Sequence, residues 1–205
     1  MKRAYSVNNV MAATFKTIPL EGAWLESLGL PEFGGSWVVY GMPKNGKTSL
    51  SMMLAKELCK YGKVAYDSVE EGLSLSVREA LVRVGMDEVS RRFVLLDKET
   101  VGELVERLEK RSSPDVVVID SVQFLGLTWK EYKMLKERFP RKLFIYVSHV
   151  EGMKPEGKVA QQIWRDANVY IRVEGFRGFP VGRYGGGAPI DIDKERAAAY
   201  WEMQK

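Results

Sequence analysis

Short apolar runs recur along this chain at intervals filled by helical patterns. Trp37–Tyr40, Lys63–Asp67, Phe93–Leu96, Asp115–Asp120, Leu143–Val147 and Val169–Val173 are rich in β-branched and aromatic residues, which predicts strands. Val116–Ile119 is four β-branched aliphatics in a row, the composition of a strand buried on both faces. Between these runs lie helical periods. Ser49–Lys60 is built of strong helix formers, and Leu73–Arg83 offers Leu75, Ala80, Leu81 and Val84 as an apolar face. Val101–Arg111 turns Leu104, Val105 and Leu108 inward, Thr128–Arg138 turns Tyr132 and Leu135 inward, and Glu195–Met203 predicts a terminal helix. Strand and helix alternating in this way predicts an α/β fold: a mostly parallel central sheet flanked by helices.

The ends of the chain carry weaker patterns. Residues 1–34 read as an N-terminal arm or linker and 35–205 as the core domain. Met1–Lys16 shows no clear period. Leu20–Pro31 predicts a turn, a short helix and a turn, with Trp24, Leu25 and Leu28 covering a sheet edge, a neighbouring subunit or the chain's own core. Glu151–Gln162 reads as a polar loop, with a short helix starting near Gly157. Phe176–Phe179 reads as a turn and Ile190–Asp193 as an edge strand or turn, so the sheet is expected to end in a C-terminal hairpin or edge extension. The glycine-rich run Val181–Gly187 lacks a lysine and hydroxyl pair and is not expected to bind phosphate.

Composition narrows the class. The length, 205 residues, suits a domain with a sizeable core. The net charge of +4 permits nucleic acid without demanding it. A single cysteine, Cys59, rules out an intramolecular disulfide framework. No apolar run is long enough to span a membrane and no secretory pattern opens the chain, so a cytoplasmic protein, bacterial or in a host cell, is expected, with no membrane partner.

The strongest chemical signal follows the first core strand. Gly41-Met42-Pro43-Lys44-Asn45-Gly46-Lys47-Thr48 fits G-x-x-x-x-G-K-[ST] without mismatch, between a predicted strand and a predicted helix. The glycines let the backbone turn, and the loop N–H groups and the helix N-terminus then face one small volume that attracts phosphate. Gly41 through Ser49 are the candidate nucleotide-binding residues, with Lys47 reaching the β- and γ-phosphates and the Thr48 hydroxyl on Mg²⁺. A plain glycine turn is the competing reading, and both flanks and the Lys-Thr pair speak against it.

Further candidates stand at the carboxyl ends of later strands, where open α/β sheets place their sites. Glu70 and Glu71 follow the second strand; one could position a water near the γ-phosphate, and spacing does not choose between them. Asp120 ends the β-branched run and is a candidate to hold Mg²⁺ opposite Thr48; capping the strand is its structural alternative. Ser121 and Gln123 lie just beyond. His149, the only histidine, ends the strand after that and is a candidate sensor of the γ-phosphate, or else an ordinary loop histidine.

In this order the motifs resemble the RecA-like P-loop ATPases, among them RadA repair ATPases, DnaB-type helicase motors and short phage RecA-like annealing ATPases. The resemblance covers roughly residues 35–190. It implies ATP and Mg²⁺ as ligands, Lys47, Glu70, His149 and Arg183 as catalytic residues, and Thr48 and Asp120 at the metal. Glu70 is the implied base because Ser68-Val69-Glu70-Glu71 resembles the family's serine–glycine–glutamate–glutamate run. Arg183-Tyr184-Gly185 resembles a family run in which basic residues reach a neighbouring subunit's ATP, but Val181 and Gly182 replace its lysine and asparagine; Arg172 and Arg177 are fallbacks. Residues 151–162 match a DNA-contacting loop, with Lys154, Lys158 and Arg165 as phosphate contacts. The family's zinc cysteines and helical N-terminal domain are missing, so a core-only protein is expected. The implied function is a Mg²⁺-dependent ATPase, slow without DNA, forming a ring or filament on single-stranded DNA in recombination, annealing or replication. The alternative is a nucleotide-switched regulatory ATPase that binds a protein partner; a small-molecule kinase is a third reading, without an arginine-rich lid to support it.

Overall fold

The computed structural model describes residues 4–204. The chain opens with a short helix α1 (Val7–Met11), capped by Ser6 and Asn9 and burying none of its residues. Thr17 then bridges to Glu32, and α2 (Gly22–Leu28) lies between them. Ile18, Leu20, Leu28 and Phe33 of this stretch are buried in the same cluster as Trp37, so Leu28 packs within its own subunit. Leu25 is exposed and Trp24 is partly buried.

The alternating part follows in order: β1 (Gly35–Gly41), α3 (Lys47–Leu58), β2 (Val64–Ser68), α4 (Leu75–Val84), a 3-10 turn at Met86–Val89, β3 (Phe93–Leu96), α5 (Val101–Glu109) and β4 (Val116–Asp120). Next come α6 (Val122–Leu125), α7 (Trp129–Arg138), β5 (Leu143–Ser148), a small hairpin of β6 (Val150–Glu151) and β7 (Lys154–Pro155), and α8 (Lys158–Asp166). The chain closes with β8 (Val169–Glu174), β9 (Arg177–Gly182), β10 (Ile190–Asp191) and α9 (Lys194–Glu202).

One eight-stranded sheet runs β10-β9-β8-β1-β5-β4-β2-β3. From β8 to β3 every neighbour pair is parallel; β9 and β10 add antiparallel at the edge. The mostly parallel sheet with a C-terminal hairpin extension is therefore the fold that forms. Alternation along β1 sorts the core into two layers. Trp37 and Val39 face Leu50, Leu54 and Leu58 of α3, while Val38 and Tyr40 face the layer holding Leu104 and Leu108 of α5, Tyr132 and Leu135 of α7 and Ile163 of α8. Among the described residues no helix is long and apolar enough to cross a membrane.

Three local expectations change. In α4 the Ser74 cap sets the start, and the buried residues are Val77 and Ala80; Leu75 falls off this stripe and is exposed. Residues 151–162 are no continuous loop but the β6–β7 hairpin and the first turns of α8. The turn expected at 176–179 is tighter: Arg177 already opens β9 and pairs with Glu174. The glycine-rich run docks on α2, where Gly187 N–H donates to the Ser27 carbonyl at 2.8 Å, consistent with a packing role.

Asp67, near the end of β2, is fully buried. Its Oδ1 accepts the Glu99 N–H at 3.3 Å, and its Oδ2 has no partner. Burial is the main cause that pushes this carboxyl up to about 6, against backbone donors and Arg107. A carboxyl raised from 3.8 to about 6 takes up a proton on folding between those values. Its stabilising contribution is thus present on the acid side and lost as pH rises through 6. Asp67→Asn keeps the Oδ1 acceptor without the charge. The variant is expected to gain stability at pH 8, by about 1–3 kcal/mol, and to show a flatter pH dependence between about 4 and 6 in urea unfolding. An Asn variant less stable than the parent at pH 8 contradicts this.

Candidate functional site

The site is assembled at the carboxyl ends of β1, β2, β4 and β5. As β1 ends, Gly41 passes against β8: a Cβ there would stand 2.1 Å from the Val173 carbonyl oxygen, so only glycine fits. Lys44 and Gly46 both take left-handed backbone, which folds residues 42–46 into a loop over the start of α3. Asn45 braces it, donating to the Pro43 carbonyl at 3.0 Å and accepting the Gly175 N–H at 2.8 Å from the β8–β9 turn. No side chain caps α3. Its first-turn N–H groups, at the positive end of a twelve-residue helix, are oriented to receive an anion. Lys47 Nζ donates to the Met42 carbonyl at 3.0 Å, lying across the loop. Burial pulls its pKa down, while Asp120 and Glu70 act in the opposite direction.

Asp120 is buried at the end of β4. Tyr66 of β2 donates to its Oδ2 at 2.5 Å, and Tyr66 in turn meets Ser51 Oγ at 3.0 Å. Ser51 reaches back to the Lys47 and Thr48 carbonyls at 3.0 and 3.1 Å. A buried chain of hydroxyls thus ties the turn carrying Thr48 to Asp120 and puts both on one side of the sheet. Burial raises Asp120 to about 6; Tyr66 and Lys47 act against that, and Glu70 adds to it. The tie engages Oδ2 and leaves Oδ1 for another ligand. The fit to Mg²⁺ is good, because that ion takes one or two carboxylates and completes its shell with phosphate and water. The absence of a three-ligand cluster among the described residues is no obstacle.

The two neighbouring glutamates separate clearly. Glu70 Oε2 meets His149 Nε2 at 3.2 Å and Ser121 Oγ at 3.5 Å, and its N–H donates to the Asp120 carbonyl at 3.0 Å. Glu71 is exposed and accepts the Ser76 hydroxyl on α4. Gln123 holds the far side together. Its amide donates to Ser148 Oγ and to the Glu156 carbonyl, both at 2.8 Å, and accepts the His149 N–H at 3.3 Å. Glu70, His149, Gln123 and the base of the β6–β7 hairpin therefore form one connected path.

Arg183 stands apart. It follows β9, which runs antiparallel to β8 from the loop end to the opposite end of the sheet, and its N–H donates to the Asn168 carbonyl at 3.2 Å. Six strand residues at ~3.3 Å each put it roughly 20 Å from its own glycine loop. Arg172 pairs with Glu174, and Arg177 Nε donates to Asp191 at 2.6 Å, so neither fallback is free. Tyr66 and Ser51 were missed in the sequence; a phenol inside a β-branched strand reads as core. Phe176 and Ile192 were missed too, although both abut Gly46. Beside the loop, bordered by Ser49, Phe176, Ile192 and Arg196 and floored by Trp24, opens a cleft of about 860 Å³.

Removing the Tyr66 hydroxyl isolates its role. Tyr66→Phe leaves Asp120 without its donor; it is expected to cost about 1–3 kcal/mol of stability. It is also expected to raise several-fold the Mg²⁺ concentration needed for half-maximal binding of an ATP analogue, with metal-free binding unchanged. An unaltered Mg²⁺ titration contradicts the clamp.

A parallel sheet with the glycine loop after β1, the acid-bearing β4 separated from β1 by β5, and an antiparallel extension beyond β8 is a RecA-like fold. Two solved structures of that fold superpose over most of the chain. The flagellar accessory protein FlaH from Methanocaldococcus jannaschii matches with a TM-score of 0.63 and 18% identity, over 88% of this chain and 96% of that one. A KaiC-like protein from Pyrococcus horikoshii OT3 matches with a TM-score of 0.51 and 14% identity, over 75% and 80%. No family model and no curated protein matches the chain.

Proposed function

We propose that this chain binds MgATP on Gly41–Ser49 and hydrolyses it. The observation that carries the reading is the convergence of Lys47, Tyr66-clamped Asp120 and His149-paired Glu70 on one uncapped helix N-terminus. The loop N–H groups and Lys47 bind the β- and γ-phosphates, and Thr48 and Asp120 hold the metal-side position. Mg²⁺ held there would supply positive charge against the phosphates. Glu70 orients the attacking water: both its side-chain contacts fall on Oε2, which leaves Oε1 for that water. The nucleoside lies in the cleft that starts at Ser49. Release of phosphate from ATP by the purified chain, dependent on Mg²⁺, tests this. No release, and no binding of a fluorescent ATP analogue, would end it.

His149 and Gln123 make the site a switch. A shift of Glu70 on hydrolysis is passed through His149 and the Gln123 amide to Glu156 and the β6–β7 hairpin. The hairpin and the residue that opens α8 carry two acids, Glu151 and Glu156, against two lysines, Lys154 and Lys158. Its tip shows Met153, and α6 beside it shows Phe124, both more than half exposed. Balanced charge and exposed apolar side chains favour a protein partner at this loop, which is the regulatory reading. Arg183, at the far end of the sheet, can meet only another subunit's nucleotide, so a ring or filament of copies is the arrangement that uses it. Mass in solution with and without ATP analogue tests that assembly. A monomer under both conditions rejects it.

A further inference from the structure

The opposite end of the sheet has its own character. Val64 is in register with Phe93 and with Val116, and Val116 with Leu143. The residues just before them, Lys63, Arg92, Asp115 and Lys142, therefore form one row across β5, β4, β2 and β3, about 14 Å long at the usual strand spacing. The segments that lead into this row, residues 59–63, 90–93, 109–115 and 138–142, carry nine basic and two acidic residues, a net +7. The whole chain is +4, so everything else sums to −3.

Both acids are engaged. Asp115 Oδ2 accepts the Lys63 N–H at 2.9 Å, and Glu109 pairs with Arg138. Lys60 pairs with Glu57, and Arg92 donates to the Cys59 and Lys60 carbonyls. Among the described residues, Lys63, Arg91, Lys110, Arg111 and Arg141 are exposed and have no carboxylate within 4.0 Å. A groove of about 210 Å³ opens between Lys63, Arg91, Lys110 and Ser112. Helix ends account for some basic residues, because the negative ends of α3, α5 and α7 favour cations. Those places are already filled by Lys56, Arg107, Lys136 and Arg138 in the last turns. The five unpaired cations lie beyond those turns and repel one another. Lys142 beside them has its pKa pulled down mainly by burial; Asp115 acts against that, and Arg141 adds a smaller lowering.

We propose that this row is a nucleic-acid-binding surface that holds the phosphate backbone of a single strand, at the end of the sheet away from the glycine loop. The five unpaired cations can neutralise about three to five phosphates of such a strand. The face is made of loops and helix C-termini, with no element shaped to enter a groove, so contact is to backbone and independent of sequence. A lipid surface fits less well: of the residues that line the groove only Val94 is a large exposed apolar side chain, too few to enter a bilayer. The proposal relocates the nucleic-acid contact from the hairpin expected to make it, and it does not depend on ATP.

The test uses the full chain without nucleotide and a fluorescent deoxythymidine strand of about 30 residues, followed by anisotropy from roughly 50 to 300 mM NaCl. Log affinity should fall linearly with log salt, with a slope of about −2 to −4. The triple variant Arg91→Ala, Lys110→Ala, Arg141→Ala should bind more than about tenfold more weakly at 100 mM salt with a flatter slope, at an unchanged melting temperature. The hairpin variant Lys154→Ala, Lys158→Ala should bind like the parent. The proposal is overturned if the triple variant binds normally, if the hairpin variant alone loses binding, or if the parent fails to bind the strand at the lowest salt. Binding to phosphatidylserine vesicles with none to the strand would assign the surface to lipid instead.

Discussion

Lys47→Ala should lose ATP binding by at least about a hundredfold and reduce turnover below detection. The reason is electrostatic. Lys47 is the cation that faces Asp120 and Glu70 across the loop, and both acids act on its ammonium. Without it, a triphosphate enters a site lined by two carboxylates and no countercharge from α3. Charge-assisted bonds to phosphate are worth roughly 1.5–3 kcal/mol each, and this lysine contributes to more than one phosphate group. Among the described residues its ammonium bonds only to the Met42 carbonyl on an open loop, so the apo fold should hold. Titration with a fluorescent ATP analogue measures the loss, and a melting curve checks the fold. Equal affinity in parent and variant would remove the phosphate-loop assignment.

Glu70→Gln should separate binding from chemistry. The amide preserves shape and the His149 contact, so ATP should bind within a few-fold of the parent. Without a carboxylate to orient and deprotonate water, turnover should fall by about 10²–10⁴-fold. Glu71→Gln should hydrolyse like the parent, because that carboxylate points away to Ser76 and solvent. Single-turnover phosphate release after equilibrium loading measures both properties. If Glu71→Gln is the inactive one, the two neighbours have exchanged roles.

Much of this was legible in the sequence, for reasons that can be named. Strands buried on both faces, such as Val116–Asp120, announce themselves as continuous apolar runs, and the glycine loop is a local backbone motif with a fixed spacing. Choices that depend on contacts far apart in the chain were not legible. Glu70 and Glu71 are equivalent until His149, 79 positions away, meets one of them. Tyr66 looks like any aromatic core residue until Asp120, 54 positions on, accepts its hydrogen bond. The order of strands is set by long-range pairing, and so is the row of cations at the far end of the sheet: Lys63, Arg92 and Lys142 are scattered in the chain and adjacent only in register. The hairpin at Val150–Pro155 escaped because two-residue strands carry no period.

The two ends of the sheet differ in character. One end carries the glycine loop and a hydrogen-bonded path from Glu70 through His149 and Gln123 to the hairpin. The other gathers positive charge that the helix ends do not use. Relatives in structure share the fold at 14–18% identity, which leaves the chemistry of this chain to its own residues.

The most direct measurement is a crystal structure of the chain with Mg²⁺ and a non-hydrolysable ATP analogue. The expected result is a triphosphate on the first turn of α3, with the metal between the Thr48 hydroxyl and Asp120 and a water beside Glu70. A nucleotide bound elsewhere, or a metal that touches neither Thr48 nor the Asp120 side of the site, would contradict it.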